Sequence, residues 1–516
     1  VESIKSATEL RLDYLRYQQR FYQNSLESAA RYPTKAWVFS APNDPVRLNL
    51  FVELLNFHRI KTYRLSRNID VDGNEFTAGD SIIVPSSQSQ HLLIRSIFET
   101  VTEFEDATFY DVSTWTMPPA FGLSFAPLLG RSYRDSLVGE TISSVPTVAP
   151  EPRESRYGYV FEWQPYYAPR ALQRVLEDGL LAKVATRPFT GTTLTGTKEF
   201  ARGSIMVPLD RQEKSRDQIF ELMQTIAAAD HVSVYPLASG RSATGTEGID
   251  AGGPSFRALQ VPTVLLAIGD EQNLYDAGEV WHLLDFRMDM PVTLRDRSTL
   301  KDVDWSRYTH IVFPSGDYED FEPDYLDRLR LWVNEGGTLI GMRKAVPWVR
   351  ANTLDWIDPD DLEAIAAREA EIAAETKEEE PLERLSYDDK DRFDAVDVIG
   401  GAIFTADLDD AHPLGFGFKG RRLYLHKNIK EPLLPTDNPF GTVIAYSQDP
   451  VYSGYVSDKN RDALAGTPAL IAERSNKGSI ILFADNPNFR GYWYGTNKLF
   501  MNALFFSTVF DEPEDE

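Results

Sequence analysis

The sequence predicts an α/β protein in which two related βαββα-type units precede a doubly wound domain, and three observations lead there. The stretch "EFTAGDSIIVP" (75–85) returns as "EFARGSIMVP" (199–208). Each copy follows an apolar strand and an amphipathic helix, and each precedes a helix carrying "IFE" (97–99 and 219–221). From Pro262 onward, short apolar runs alternate with helical patterns, as βα units do.

In the first copy, assigned to residues 36–142, Trp37-Val38-Phe39 reads as a strand, "VRLNLFVELLNFH" as a helix and "KTYRLS" as a strand. "SIIVP" is a further strand and "HLLIRSIFE" a second helix. The second copy, 157–256, runs Tyr159-Val160-Phe161, "PRALQRVLEDG", "AKVATRPF", "SIMVP" and "RDQIFELMQTIAAA". Duplication of one unit is the simplest account, with Gly79 matching Gly203 and Pro85 matching Pro208. Strands alternating with helices predict a mostly parallel sheet in each copy. "DVDGNE" (70–75) has its glycine at the fourth position, where a calcium loop of the EF-hand kind needs it at the sixth, so an Asp-Gly hairpin turn is expected. A Pro-rich linker, 143–156, separates the copies. Before them, 1–35 reads as a linker helix with Leu10, Leu15, Tyr17 and Phe21 on it. A chain that opens inside a helix is expected to be part of something longer.

The third region, 257–510, contains "TVLLAIGD", "PVTLRD", "THIVFPSGDY" and "TLIGMR" as strands, with "AGEVWHLLDFRM" and "PDYLDRLRLWVNEGG" as helices. Pro323 near a helix start and Gly336-Gly337 at its end follow the usual asymmetry of helix termini. The series is flavodoxin-like. An insert, 358–391, holds fourteen Asp/Glu against four Lys/Arg and reads as a solvated excursion; the tail 511–516 is acidic.

Composition narrows the chemistry. The net charge is −25, which argues against nucleic-acid and anionic-membrane partners, and no apolar run is long enough for a membrane span. There is no cysteine, hence no disulfide, no thiolate metal site and no Cys nucleophile. The seven histidines (His58, His91, His231, His282, His310, His412 and His426) form no H-x-x-E and no H-x-x-x-H, so no zinc ligand pair is expected. "GFGFKG" (415–420) matches a dinucleotide fingerprint as a string, but a strand-like "RRLYLH" follows where a helix is required. Strand ends of a doubly wound sheet are where ligands bind. Asp317, Arg343, His412 and Arg490 are therefore the candidate cleft residues, His412 also being explicable as a turn residue before Pro413.

"AGDSIIVP" (78–85), "FEDATFYDVSTWTMPPAFG" (104–122), "NEGGTLIGMRKAVPWV" (334–349) and "KGSIILFADNPNFRGYWYGTNKLFMNALFF" (477–506) together resemble the C-terminal portion of large bacterial M14-family zinc carboxypeptidase-like proteins. The resemblance runs over nearly the whole chain. It implies an exported protein, periplasmic or secreted, whose zinc peptidase domain lies upstream and whose last domain is similar to class I glutamine amidotransferases. In the latter a Cys stands at the nucleophile elbow, which here falls at Met342-Arg343. No position matches the peptidase's zinc ligands or catalytic Glu, so no catalytic or metal residue is carried over. The implied role is a non-catalytic accessory region with the upstream peptidase domain as partner and zinc confined to that domain. The alternative is an independent module binding a small molecule, peptide or glycan in the amidotransferase-like cleft.

Overall fold

The computed structural model describes residues 2–104, 112–244, 248–319, 321–357, 384 and 386–511. Most of the acidic insert, and the tail after 511, lie outside the described residues. The chain divides into two units: one of residues 1–101, 115–256 and 492–498, the other of 102–114, 257–491 and 499–516.

In the first unit, helices α1 (Glu2–Glu9) and α2 (Arg11–Arg31) lead into β1 (Thr34–Ser40). Helix α3 (Pro45–Phe57) follows; Asp44 caps it by accepting from Arg47 N at 3.2 Å, and Pro45 occupies the first turn, where a missing N–H costs nothing. Then come β2 (Thr62–Leu65), the hairpin β3 (Ile69–Val71) and β4 (Asn74–Phe76), β5 (Ser81–Pro85) and α4 (His91–Phe98). The short helix α5 (Met117–Ala120), β6 (Ser124–Leu129) and β7 (Val138–Ile142) complete this part. The sheet order is β6-β1-β5-β2-β7. Alternate residues of β1 face two different cores. Ala36 and Val38 join Ile83, Ala126 and Leu128 on one face. On the other, Trp37 and Phe39 meet the rings of Phe51 and Phe98 at 4.9–5.8 Å. Covered on both sides, the strand reads in sequence as one apolar run.

The chain then lays down β8 (Gly158–Phe161), α6 (Ala168–Glu177), β9 (Lys183–Ala185), β10 (Phe189–Thr193), β11 (Gly196–Phe200), β12 (Ile205–Pro208), α7 (Arg216–Ala229), β13 (Val234–Ser242) and β14 (Phe256–Ala258). Their order is β11-β10-β13-β8-β12-β9-β14. The run β1-β5-β2 of the first sheet and the run β8-β12-β9 of the second place corresponding strands alike. Their registers also agree: Ala36 faces Pro85 and Phe39 faces Ile82, as Gly158 faces Pro208 and Phe161 faces Ile205.

The expectation of mostly parallel sheets is corrected here, since β5 is antiparallel to both β1 and β2, and β12 to both β8 and β9. Each helical crossover does join two strands running the same way, but a third strand enters between them and reverses both pairings. At 70–75 the turn between β3 and β4 holds Asp72 at φ 52° and Gly73 at φ 82°, the left-handed pair of a tight hairpin.

The second unit is built on β15 (Val264–Ile268), β16 (Val292–Asp296), β17 (His310–Phe313), β18 (Thr338–Met342) and β23 (Gly478–Phe483), all parallel, in the order β16-β15-β17-β18-β23. Numbered along the chain that is 2-1-3-4-5, the flavodoxin-like doubly wound order. Antiparallel strands β22 (Pro468–Ser475), β21 (Thr442–Ser453), β19 (Ala402–Leu408) and β20 (Arg422–Lys427) extend it beyond β23. Leu265, Ile311, Phe313, Leu339 and Leu482 from the parallel strands share one core with Leu329, Trp332 and Val333 of helix α9 (Pro323–Asn334). Helix α8 (Leu274–Trp281) gives way to a π-helical stretch, His282–Arg287, where the sequence pattern predicts one continuous helix. From the 102–114 segment, Ser113 Oγ donates to Gly401 O at 2.7 Å and accepts from Tyr455 N at 2.8 Å.

Candidate functional site

A cleft of about 1020 Å³ lies at the carboxyl ends of β15, β17 and β18. The strand order reverses between β15 and β17, and the loops that follow these two strands splay apart there, which is why such sheets bind ligands at this point. Three loops line the cleft: Glu271 to Asn273 after β15, Ser315 to Glu319 after β17, and Arg343 to Asn352 after β18, with Asn428 beyond β20. The first two loops are tied together, Asn273 N donating to Ser315 O at 2.7 Å and Asp317 N to Glu271 O at 3.2 Å. Asn273 also caps α8, its Oδ1 accepting from Tyr275 N and Asp276 N.

Arg343 occupies the strand–turn–helix elbow. It has φ 53°, a conformation that costs a residue with a Cβ about 1–3 kcal/mol, and helix α10 (Val346–Ala351) starts three residues later. Its Nη1 donates to both oxygens of Asp276, at 2.7 and 2.9 Å, and its Nη2 to Asn428 Oδ1 at 2.7 Å. Its Nε is buried and has no hydrogen-bond partner among the described residues. Asp276 is buried on α8 and also accepts from Asn486 Nδ2 at 2.9 Å. Asn486, just after β23, donates at 2.5 Å to Glu279 Oε2, and Arg490 N donates to Glu279 Oε1 at 2.6 Å. Burial pushes the Glu279 carboxyl up to about 8, with the Asp276 charge adding to the rise and the Arg490 amide and the two arginines opposing it. Arg490 is itself left-handed, at φ 49°. Two strained turns, after β18 and after β23, are thus pinned to one face of α8.

Of the four sequence candidates, the structure places Asp317 and Arg343 together in the cleft lining, and His412 and Arg490 outside it. His412 stands at the turn before Pro413: its Nδ1 accepts from Leu414 N at 3.1 Å and its ring lies 4.9 Å from that of Phe510. Burial holds its imidazolium form down, to about 4. Arg490 meets the network through its backbone amide.

The sequence reading passed over Gln272, Lys344, Asp276, Glu279 and Asn486. Gln272 is the telling one. It lines the cleft, is 5 % exposed, and among the described residues neither its Oε1 nor its Nε2 has a hydrogen-bond partner. A buried amide left unpaired costs about 1–3 kcal/mol. The signal that could have found these residues is positional: "GDEQN" and "ADNPN" are polar runs directly after buried strands. A separate buried cluster joins Lys427 Nζ to Tyr446 OH at 3.2 Å and to Asp485 Oδ1 at 3.3 Å, while Tyr446 donates to Asp485. None of its three residues is among those that line the cleft, and it reads as a structural tie. Among the described residues no group of three or more His, Asp or Glu gathers as metal ligands would.

The second unit is therefore a flavodoxin-like domain with a polar cleft at its switch point. Solved structures similar to the chain include a protein described as ThuA-like from Parabacteroides merdae, at 14% identity over 49% of this chain and 94% of that one, TM-score 0.28. Another described as ThuA-like, from Bacteroides uniformis, gives 12% identity over 47% and 89%, TM-score 0.26. A Thermoplasma acidophilum protein described as one component of GMP synthase gives 9% over 47% and 94%, TM-score 0.26. No family model matches the sequence, and no curated protein does.

Proposed function

We propose that the second unit is a non-catalytic binding module that holds a small polar ligand in the strand-end cleft. The observation that carries this reading is Gln272, a buried residue of the cleft lining whose amide has neither donor nor acceptor satisfied among the described residues. Arg343 supports the non-catalytic part, because the elbow that would present a nucleophile instead holds a guanidinium locked to Asp276. The test is thermal melting of the whole chain with neutral sugars, amino acids, short peptides and phosphate. A cleft ligand at a hundredfold its Kd adds about 2.7 kcal/mol of stability by mass action. The shift should vanish in Gln272→Leu. No shift with any class, or a shift that Gln272→Leu leaves intact, contradicts the reading.

A second reading places this module within a larger protein, as the accessory region of an exported zinc metallocarboxypeptidase-like enzyme whose peptidase domain precedes it. Zinc and peptide hydrolysis then belong to that upstream domain, and this chain alone neither holds zinc nor cleaves peptides. Besides the resemblance, helix α2 favours it. Leu12, Leu15, Tyr22 and Leu26 share one face of it and are 55%, 54%, 37% and 44% exposed, and Ser25 and Ala29 are its buried residues. A contiguous apolar face of this kind marks a surface that meets a partner. Co-expression of this chain with the upstream domain should give a complex that protects 11–31 from proteolysis; two halves that ignore each other contradict it. The matched order and register of β1-β5-β2 and β8-β12-β9 support the further reading that the two α/β units arose by duplication.

A further inference from the structure

We propose that the cleft of the second unit takes a zwitterion, an amino acid or short peptide bound by both its ammonium and its carboxylate. This rests on the reading of the cleft as a ligand site and adds the chemistry of the ligand.

Two of the five charged side chains that line the cleft are already compensated. Glu271 pairs with Arg297, and Arg343 with Asp276. Three charged side chains remain without an ion pair among the described residues: Asp317, Glu319 and Lys344. They are sorted by loop. Both carboxylates stand after β17, where Asp317 Oδ1 accepts only from the backbone N of Glu319, at 3.0 Å. The ammonium stands after β18, on the residue that follows Arg343, whose Nε–H has no hydrogen-bond partner among the described residues. Strands β17 and β18 are paired neighbours, so acceptors and donors leave the sheet about 5 Å apart at their roots.

A ligand with one sign of charge would satisfy one wall and face uncompensated charge on the other, and a neutral ligand would leave both charged walls unmatched. A molecule with an ammonium toward Asp317 and Glu319 and a carboxylate toward Lys344 and Arg343 Nε satisfies both. The amide of Gln272, on the loop after β15, carries both donors and acceptors, which is what a peptide or carboxamide group requires. The partly buried Trp348, packed on Tyr318 at 5.3 Å between ring centroids, gives the cleft an apolar wall for the ligand's carbon atoms.

The experiment is calorimetric titration of the whole chain with L-alanine, L-alanyl-L-alanine and L-alanyl-L-alanyl-L-alanine, a series that varies the separation of the two charges. Acetylated and amidated alanyl-alanine carry one charge each, and maltose carries none. At least one zwitterion should bind. Removing either ligand charge should weaken it about tenfold or more, as should Lys344→Met and the double change Asp317→Asn with Glu319→Gln. The altered side chains are exposed, so folding should be kept. Maltose binding that depends on Gln272, without zwitterion binding, overturns the proposal and leaves the cleft reading standing. Zwitterion binding indifferent to Lys344→Met also overturns it. No binding by any probe overturns both.

Discussion

The carboxyl of Glu279 gives the most exacting test of the network behind the cleft. Its ordinary value is 4.5 and burial raises it to about 8, against the pull of Arg343, Arg490 and the Arg490 amide. In the folded chain it therefore keeps its proton across a range where the unfolded chain has lost it. Folding then takes up a proton, and stability from this group is full below 4.5 and drains away as pH rises toward 8. At 1.36 kcal/mol per pH unit the whole gap is worth about 5 kcal/mol, and the stretch from about pH 5.5 to about pH 7.5 about 2–3 kcal/mol. Partial solvent access reduces this to about 2 kcal/mol. The perturbation is Glu279→Gln, which has no proton to lose. Urea unfolding of wild type and variant at both pH values, each wild-type stability referred to the variant at the same pH, cancels most of the other titrating groups. The wild type should lose about 2 kcal/mol relative to the variant as pH rises. A difference constant within about 0.5 kcal/mol, or one of opposite sign, would show that the donors from Asn486 and Arg490 outweigh desolvation and keep the carboxylate ionised.

Other outcomes follow from single contacts. Arg343→Met should destabilise the second unit by about 3–5 kcal/mol in chemical unfolding, because it strands the buried Asp276 carboxylate. Asp230 is fully buried between Arg170 and Arg174, at 2.6 and 3.0 Å; both arginines retain some access to water, so Asp230→Ala should cost less, about 2–3 kcal/mol by the same measurement. Gly73→Ala meets no neighbouring atom, so its cost, about 1 kcal/mol, should come from the left-handed backbone alone and leave the spectrum of the folded protein unchanged. A much larger loss would mean that the hairpin turn carries packing not visible at that position.

The doubly wound core was readable because "TVLLAIGD", "THIVFPSGDY" and "TLIGMR" are apolar runs bounded by turns, with α9 framed by Pro323 and Gly336. The two strained turns were not: nothing local marks Arg343 or Arg490 as left-handed, and their partners Asp276 and Glu279 lie more than fifty residues away from either in the chain. In the first unit the periodicity gave the strands and helices but not their pairing. That β5 enters between β1 and β2 depends on which edges remain open after the crossover, and the sequence pattern of a strand records its burial, not its neighbour. Asp317 and Arg343 were found because both follow apolar strands. His412 misled for the complementary reason, since a histidine before a proline is a hydrogen-bonding turn residue as readily as a ligand contact. Gln272 carried no residue-type signal, an amide being ordinary in a loop; its burial without a partner among the described residues sets it apart.

Whether the strand-end cleft binds a ligand through the unsatisfied amide of Gln272 can be read at that side chain itself. With glutamine side chains labelled with nitrogen-15, its NH₂ pair is identified by its loss in Gln272→Leu and followed during titration with L-alanyl-L-alanine. This pair should move progressively to the downfield position of a hydrogen-bonded amide and saturate with the calorimetric Kd. An unmoved Gln272 signal at a concentration where calorimetry shows the ligand fully bound would contradict it.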